Sequence, residues 1–398
     1  MSNVWSRLPA TVWLLGWVSL CNDATSEMIY PLVPLYLASV LMTGPGVLGL
    51  IEGIAEAVSS LVKLFAGMLA DRTRSAKPWV VAGYAFAAAG RPLLALAGSW
   101  PVVLGLRFAD RLGKGLRTAP RDALLARAVA PAQRGLAFGV HRAMDNAGAV
   151  IGPLLAAGLL SLQLPYRDIF LWAAVPGAIT VGLALLVREP APLAPPPAQP
   201  FHWNLQVFPP VFRRYLAVLG LFTLGNSSNM FLLLRARELG FPEHQVPLLW
   251  ALTSLIAALL STPLAALSDR LGRTRLIVSG WLLYGVCYLL LAVNGLSSGL
   301  LWPLFAAYGL FLAATEGAEK ALVADLAPQG RLGTAYGWFN LTAGILLLPA
   351  SFVFGALWQA VGPAAAFGFS AGCAGLAASL LRFWVFRGTA MAAESKPA

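Results

Sequence analysis

The sequence reads LADRTR at residues 69–74 and LSDRLGR at residues 267–273. Asp71 and Asp269 stand 198 residues apart, and each follows a long apolar run. Two more pairs recur at nearly this spacing: ALLARAVAPAQRG at 123–135 with ALVADLAPQGRLG at 321–333, and the Ala-aromatic-Gly triplets at 137–139 and 335–337. Such a repeat predicts two structurally related halves, an arrangement common among transporters.

Lipid is the expected solvent for most of the 398 residues. Apolar side chains make up 58% of the chain and charged ones 11%, and the mean hydropathy is +0.73. Soluble domains carry about 25% charged residues, and a soluble core cannot absorb this much apolar surface. The composition therefore excludes a soluble enzyme, a secreted module, a coiled coil and a disordered chain.

The apolar runs predict an all-α membrane protein with twelve transmembrane helices, since about 20 residues span a bilayer. The predicted spans are 10–41, 46–70, 78–98, 101–119, 135–161, 166–187, 213–235, 246–267, 276–296, 300–324, 334–358 and 363–386. The stretch 188–211 is Pro-rich and polar, which predicts a linker. We therefore expect six-helix bundles at 1–187 and 212–398, with the first apolar run retained as a span rather than cleaved as a signal peptide.

Basic residues set the expected orientation, because they concentrate on the cytoplasmic side of membrane proteins. Alternate loops place Arg7, Arg72, Arg74, Lys77, Arg121, Arg127, Arg134, Arg188, Arg213, Arg214, Arg270, Arg273, Arg275, Arg331, Arg387 and Lys396 on one side. The other side has Arg167, Arg235 and Arg237. We expect both termini and the linker to be cytoplasmic in a multi-pass protein of the bacterial inner membrane. The net charge of +11 then reflects contact with anionic lipid rather than nucleic acid.

The two Asp-Arg loops carry a recognisable pattern. Its residues are Gly67, Asp71, Arg72, Asp269, Arg270, Gly272 and Arg273. The pattern resembles the GxxxDRxGRR motif of the major facilitator superfamily, although the first copy lacks the loop Gly and the second has Ala265 at the leading Gly position. The resemblance covers essentially the whole chain. It implies two pseudo-symmetric six-helix bundles, transport by alternating access, and loops that latch the cytoplasmic gate.

Two further spans extend the resemblance. Gly148, Gly152 and Pro153 in the fifth span are similar to the GxxxGPxxGG motif of exporters in this superfamily, with the final Gly pair displaced. Small residues let helices approach closely, and Pro bends a helix. The fourth span resembles LxxRxxQG with its arginine at Arg107, but Asp110 stands where Gln is usual. The chain looks closest to proton antiporters that export drugs or metabolites.

Ionisable groups inside the spans mark the expected mechanism, because they are costly in lipid and usually functional. A carboxyl group in an apolar cavity can bind a proton near neutral pH, and an approaching Arg can release it. Asp23 and Glu27 lie four residues apart, hence on one helix face, and are the first proton-carrier candidates. Arg107 and Asp110 are the second, as a movable counter-ion pair.

The other candidates divide unequally between the halves. Expected cavity or substrate residues are Glu56, Arg91, Arg142, Asp145, Phe222, Asn226, Asn229, Tyr284 and Glu316. Glu56 is expected to form a static pair with Lys63, and Arg142 can neutralise Asp145 at i, i+3. Because the second half has few mid-span charges, we expect the first half to handle protons and the second to supply an aromatic wall.

Three functions remain open on these residues. The leading one is a proton-coupled antiporter that exports a small organic molecule. The second is a proton-linked importer of an organic anion, with Arg91, Arg107 and Arg142 as ligands, since guanidinium binds carboxylate and phosphate well. The third is a non-transporting membrane sensor, against which the buried charges argue. We expect no enzyme activity, cofactor or metal site, because no GxxxxGKS/T loop or metal-ligand spacing occurs. A monomer that binds substrate, protons and lipid is expected.

Overall fold

The computed structural model describes residues 8–72, 75–130, 133–189, 204–328 and 331–386. Its helices are α1 (Ala10–Ile29), α2 (Leu32–Ser39), α3 (Pro45–Arg72), α4 (Lys77–Leu93), α5 (Trp100–Arg127), α6 (Arg134–Ser161), α7 (Tyr166–Trp172), α8 (Ala174–Leu186), α9 (Pro210–Gly225), α10 (Met230–Glu238), α11 (Val246–Leu271), α12 (Arg273–Ala292), α13 (Ser298–Leu326), α14 (Leu332–Ala360) and α15 (Pro363–Leu380). Short helical turns occur at Leu94–Leu96, Leu205–Val207 and Glu243–Gln245, and a π-helical segment at Leu381–Val385.

These helices form twelve transmembrane segments, because three segments are broken in the middle. The breaks lie between α1 and α2, between α7 and α8, and between α9 and α10. Pro31 precedes α2 and cannot continue the hydrogen-bonding of α1, while the polar stretch Asn226–Asn229 separates α9 from α10. Within the described residues, ten helical stretches are long and apolar enough to cross a membrane by length and composition alone. The other two segments are the broken α1–α2 and the charge-rich α5.

The twelve segments build two pseudo-symmetric six-helix bundles. In the first, α1 packs on α6, and α5 packs on α3 and α4; in the second, α11 packs on α13, and α12 on α15. The halves repeat at the spacing of the sequence motifs. Trp100–Arg127 corresponds to Ser298–Leu326, and Arg134–Ser161 to Leu332–Ala360, each beginning 198 residues later. The bundles meet where α3 contacts α14 and α6 contacts α11.

Glycine permits the closest helix contacts. A Cβ atom at Gly152 of α6 would lie 2.5 Å from the carbonyl oxygen of Ala24 in α1, and one at Gly148 would collide with the carbonyl of Leu20. Between the bundles, a Cβ atom at Gly49 of α3 would collide with the carbonyl of Ser351 in α14. Small residues therefore fix both a contact within one bundle and a contact across the interface.

The two ends of the molecule differ in how tightly the bundles meet. We call the end that holds the start of α1 and the end of α3 the basic face, and the other end the opposite face. At the opposite face, Glu243 accepts hydrogen bonds from Ser39 Oγ (3.0 Å) and Tyr166 Oη (2.7 Å) of the first bundle, and it pairs with Arg237 of the second. This Glu243 cluster closes the opposite face.

Several predicted boundaries differ from the structure. The first predicted span, 10–41, is two helices, and the fourth, 101–119, extends to Arg127 as a continuous helix because its charged side chains find partners within the bundle. The helix α9 begins at Pro210, inside the predicted linker. Most of the linker, residues 190–203, lies outside the described residues. The predicted domain limits therefore stay a prediction.

Candidate functional site

A cavity of about 810 Å³ lies between the bundles in the half nearer the basic face. Residues of α1, α3, α5 and α6 line one side, and residues of α13 and α14 line the other. Toward the opposite face the bundles meet through tight contacts, including the backbone N–H of Gly46 donating to Gln359 Oε1 at 3.2 Å. The arrangement is that of a central site accessible from one end.

The first predicted proton carrier, Asp23, lines this cavity beside Asp145 of α6. Their carboxyl groups lie within hydrogen-bonding reach of each other. Asn22 Nδ2 donates to Asp23 at 2.7 Å, and Ser19 Oγ donates to Asp145 at 2.5 Å. Two carboxylates this close repel each other, and one proton removes the repulsion. We call these two residues the carboxyl pair.

The second predicted carrier, Glu27, also lines the cavity and connects the two bundles. Trp250 Nε1 of α11 donates to Glu27 Oε2 at 2.8 Å. The Trp250 ring stacks on Tyr30, with 5.2 Å between ring centroids. An acidic group of α1 is thus tied directly to the second bundle.

The predicted counter-ion pair, Arg107 and Asp110, belongs to a larger buried network. Asp110 Oδ1 accepts from Arg91 Nε at 2.9 Å, and Asp110 Oδ2 lies 3.8 Å from Arg107 Nη1 and 3.5 Å from Arg111 Nη1. Arg107 is closer to Glu52, at 2.7 Å between Nη2 and Oε1. Each of these side chains is at most 5% exposed. Asp110 therefore neutralises several guanidinium groups at once.

Glu52 is absent from the predicted site residues, yet it links three parts of the structure. Besides Arg107 of α5, it binds Ser228 Oγ at 3.2 Å, in the break between α9 and α10. The backbone N–H of Ser228 in turn donates to Ser351 Oγ of α14 at 3.2 Å. The spacing of four residues between Glu52 and Glu56 places both on one face of α3, but it does not specify the partners of Glu52.

The expected pairing of Glu56 with Lys63 does not occur among the described contacts. Glu56 Oε1 instead lies 2.9 Å from Arg111 Nε, an ion pair without hydrogen-bond geometry. Lys63 points into the cavity together with Lys114 and Arg117 of α5. The prediction was wrong because α5 packs against α3 and brings Arg111 to Glu56.

Arg142 lines the cavity and forms an ion pair between the two bundles. Its Nη2 atom lies 2.6 Å from Glu316 Oε1 of α13, and its Nη1 atom lies 3.5 Å from Asp145 Oδ2. Lys320 also pairs with Glu316, at 3.0 Å. The expected Arg142–Asp145 contact within α6 is thus longer than the Arg142–Glu316 contact, which joins the bundles.

The predicted residues of the second bundle lie outside the cavity lining. Phe222 is 4% exposed and stacks on Trp281 with centroids 4.4 Å apart, and Tyr284 is completely buried beside them. Asn229 Oδ1 accepts from Tyr308 Oη at 2.5 Å. Asn226 is half-buried at the end of α9. In this conformation the aromatic residues form the core of the second bundle, and their proposed cavity role remains a prediction.

A carboxylate that is absent from the predicted site residues lies beside this aromatic core. Glu319 Oε1 accepts a hydrogen bond from Trp281 Nε1 at 2.9 Å. Its neighbour Lys320 is exposed. The Glu319–Trp281 contact parallels the Glu27–Trp250 contact, but it stays within one bundle.

The predicted gate residues lie at the basic face. Gly67, Asp71 and Arg72 belong to the last turns of α3, and Asp269 to the end of α11, but the side chains of these four lie outside the described set.

The rest of the second copy is described in the structure. Arg270 is exposed, Gly272 has φ of +93°, a conformation that favours glycine, and Arg273 pairs with Asp325 of α13. The gate role of both copies stays a prediction.

At the same face, Glu189 holds the start of α4. It accepts hydrogen bonds from Ser75 Oγ (2.6 Å) and from the backbone N–H groups of Ala76 (2.7 Å) and Lys77 (3.3 Å), and it lies 3.2 Å from Arg127. Burial alone would raise the pKa of Glu189, but these hydrogen bonds and the charge of Arg127 outweigh it and lower the pKa. The chain after α8 is thereby fixed to the loop that joins α3 and α4.

Metal binding finds no support in the described part of the chain. There, no group of three or more His, Cys, Asp or Glu residues is placed to hold an ion.

Known proteins are similar to this chain in sequence and in fold. The sequence profile of the Major Facilitator Superfamily matches residues 15–234 and 215–398. An uncharacterised MFS-type transporter of Methanocaldococcus jannaschii is 35% identical over 365 residues, 89% of each chain. The multidrug resistance protein MdtH of Aeromonas hydrophila is 25% identical over 331 residues, 83% of each chain. The solved nucleoside transporter NupG has a TM-score of 0.81 at 14% identity and covers 94% of this chain and 99% of its own.

Proposed function

Because the chain belongs to the Major Facilitator Superfamily and is a transporter rather than an enzyme, we propose that it is a proton-coupled antiporter. It exports a small organic molecule by alternating access. The observation that carries this proposal is the carboxyl pair, Asp23 and Asp145, in the cavity between the bundles. A proton on the pair removes the repulsion between two carboxylates, so its loading changes the charge of the cavity by one unit.

Coupling requires that the charge of the cavity affect the contact between bundles. The Glu27–Trp250 and Arg142–Glu316 contacts both cross the interface and involve groups at the cavity. Arg142 also reaches Asp145, a member of the carboxyl pair. A change in charge at Asp145 therefore changes the interaction of Arg142 with the second bundle. This is the physical link that we assign between protonation and conformation.

Export is supported by two observations. Relatives named MdtH are described as multidrug resistance proteins. In this chain, Gly148 and Gly152 provide the close contact of α6 with α1 that the exporter motif implies, and Pro153 follows them inside α6. We also assign the basic face to the cytoplasm, the protein to a bacterial inner membrane, and the functional unit to a monomer.

The test begins with finding the substrate. Metabolites inside and outside cells are compared between strains that lack and overproduce the protein. A compound that accumulates outside the overproducing cells is then loaded into proteoliposomes, and its efflux is measured with and without an inward proton gradient. The wild-type protein is expected to accelerate efflux under the gradient. Protons are expected to enter the proteoliposomes as the compound leaves.

Asp23→Asn is the decisive variant, because amide replaces a titratable group with little change in shape. It should still exchange substrate across the membrane but lose the response to the gradient. Asp168→Asn, at an exposed carboxylate of α7, is the matched control and should behave like the wild-type protein. Full gradient-driven efflux by Asp23→Asn would refute this assignment of proton coupling.

Import of an organic anion is the second candidate. It is favoured by Lys63, Lys114 and Arg117, cations of the cavity that make no ion pair within the described residues. Arg91 and Arg107 do not support it, because Asp110 and Glu52 already neutralise them. The direction of net movement under a proton gradient distinguishes the two: uptake together with protons supports import, and efflux against proton entry supports export.

A further inference from the structure

The cavity contains cations of two kinds. Arg121 binds Asp122 at 2.9 Å, while Arg142 and Lys320 share Glu316. Lys63 of α3 and Lys114 and Arg117 of α5 form no ion pair in the part of the chain that the structure describes. We call the last three the cation cluster.

Arg117 is the most unusual member. It is 4% exposed, and its Nη1 atom is buried without a hydrogen-bond partner among the described residues. The guanidinium carbon lies 4.7 Å from the ring centroid of Tyr84, which covers one side of the group without accepting its N–H donors. A buried guanidinium donor without an acceptor costs free energy that a bound anion would recover.

The cluster is also electrostatically strained. Lys114 and Arg117 of α5 repel Lys63 of the neighbouring helix α3 on the same side of the cavity. Lys114 and Arg117 stand at i, i+3 on α5, so they lie on one side of that helix. Like charges held together in a partly buried cavity favour the binding of a negative group between them.

The carboxylates of the cavity are already engaged. Glu56 pairs with Arg111, Asp122 with Arg121, and Glu27 accepts from Trp250. The carboxyl pair accepts from Asn22 and Ser19 on the α1 side. The unpaired basic groups of the cavity therefore lie on α3 and α5, where the carboxylates Glu56 and Asp122 are already paired with arginines.

We propose that Lys63, Lys114 and Arg117 form a binding site for the anionic group, carboxylate or phosphate, of an organic molecule. Guanidinium and ammonium groups bind both oxyanions well. Leu341, Ala343 and Leu347 of α14 line the cavity from the second bundle and supply an apolar surface for the rest of the molecule. The inference deepens the proposed function by naming the substrate class, and it rests on the assignment of this cavity to transport.

Three probes of nearly equal shape test it: benzoate, neutral benzamide and cationic benzamidinium. The full chain is placed in nanodiscs of zwitterionic lipid at constant ionic strength, and the shift of its melting temperature is measured against probe concentration, because a ligand that binds the folded state stabilises it. Benzoate and phenyl phosphate are expected to raise the melting temperature more than benzamide. Equal or greater stabilisation by benzamidinium would overturn the proposal.

Charge-removing variants locate the site. Lys114→Gln and Arg117→Gln should each weaken benzoate binding roughly 10-fold or more, the usual size for a hydrogen bond to a charged group. Arg213→Gln removes one positive charge from an exposed position of α9 outside the cavity and should leave binding unchanged. If Arg117→Gln does not fold, Lys63→Gln joins Lys114→Gln as the second test. Equal losses in Arg213→Gln and Lys114→Gln would contradict the assigned site.

A second lipid composition distinguishes a lipid headgroup from a free organic anion as the ligand of the cation cluster. Nanodiscs that contain phosphatidylglycerol weaken benzoate binding if a lipid headgroup phosphate occupies the cluster, and they leave it unchanged if the ligand is a free organic anion. Either result supports an oxyanion site. Binding is measured without a proton gradient, so it tests the anion site and not proton coupling. Failure of proton coupling would thus appear in efflux, and failure of the anion site would appear in binding.

Discussion

The two bundles share a backbone plan but have different interiors. The 198-residue offset places Tyr308 where Asp110 stands, and Trp250 where Glu52 stands. Asp110 is surrounded by guanidinium groups, whereas Tyr308 packs among aromatic rings, 5.3 Å from Phe311. Pseudo-symmetry therefore fixes helix positions but leaves the interior chemistry free. We infer that the first bundle responds to charge and the second acts as a rigid packing partner.

The largest effect is expected at the equivalent positions Asp110 and Tyr308. Asp110→Asn leaves Arg91 without its shortest ion pair, and breaking a buried pair costs about 3–5 kcal/mol. Tyr308→Phe removes one hydrogen bond to Asn229 and should cost about 1 kcal/mol. Equilibrium unfolding of the purified protein in mixed micelles measures both. Equal losses would show that the two interiors contribute to stability in the same way.

Two tryptophans provide a comparison of contacts across and within the bundles. Trp250→Phe and Trp281→Phe each remove an N–H donor to a glutamate, Glu27 or Glu319, and each should cost about 1.5–3 kcal/mol.

Only Trp250→Phe removes a contact between bundles. It should therefore increase hydrogen exchange at the interface segments 45–53 and 351–359, which meet at the opposite face. If only Trp281→Phe increased exchange at these segments, the assignment of Trp250 as the tryptophan that joins the bundles would be wrong.

The glycines of α6 test a packing difference between the halves. The offset aligns Gly152 with Ala350, so the second bundle already has a methyl group there. Gly152→Ala places a Cβ atom 2.5 Å from the Ala24 carbonyl oxygen and should destabilise the protein by about 1–3 kcal/mol. Gly158→Ala on the same helix meets nothing within 4 Å and is the control. Thermal unfolding should separate them, and matching melting temperatures would argue against tight α1–α6 packing.

The smallest effect is expected from the ion pairs of the basic face. The lowered pKa of Glu189 means that its carboxylate stabilises the folded protein above pH 4.5, the ordinary value, and that this stabilisation is lost as the pH falls through the lowered pKa. Glu189→Gln should therefore reduce stability at neutral pH, by about 1 kcal/mol, and flatten its loss in acid.

Asp325→Asn tests the corresponding pair of the second bundle. Its carboxylate is 50% exposed and pairs with Arg273, so a smaller change is expected. Thermal melts between pH 3 and pH 7 compare the two variants. A larger pH response in Asp325→Asn would contradict the ranking.

The sequence predicted the twelve-span plan because span length and hydropathy are local properties. The predicted span 334–358, for example, differs from α14, Leu332–Ala360, by two residues at each end. The sequence also identified Asp23, Glu27 and Arg142 as ionisable groups within the spans, and all three line the cavity.

The sequence alone did not predict which residues pair between helices. Glu52 binds Arg107 and Ser228, which are 55 and 176 residues away, and no periodicity within α3 specifies either partner. The expected Glu56–Lys63 pair was wrong for the same reason, since Arg111 arrives from another helix. Phe222 and Tyr284 were predicted as cavity residues, but hydropathy does not tell whether an aromatic ring lines a cavity or packs in the core of a bundle.

The Glu243 cluster has a kinetic consequence. In the alternating-access cycle that we propose, opening of the opposite face separates Glu243 from Ser39 and Tyr166. The dwell time in the closed state therefore depends on how often these hydrogen bonds break together. A cycle that passes through both faces can run no faster than this event.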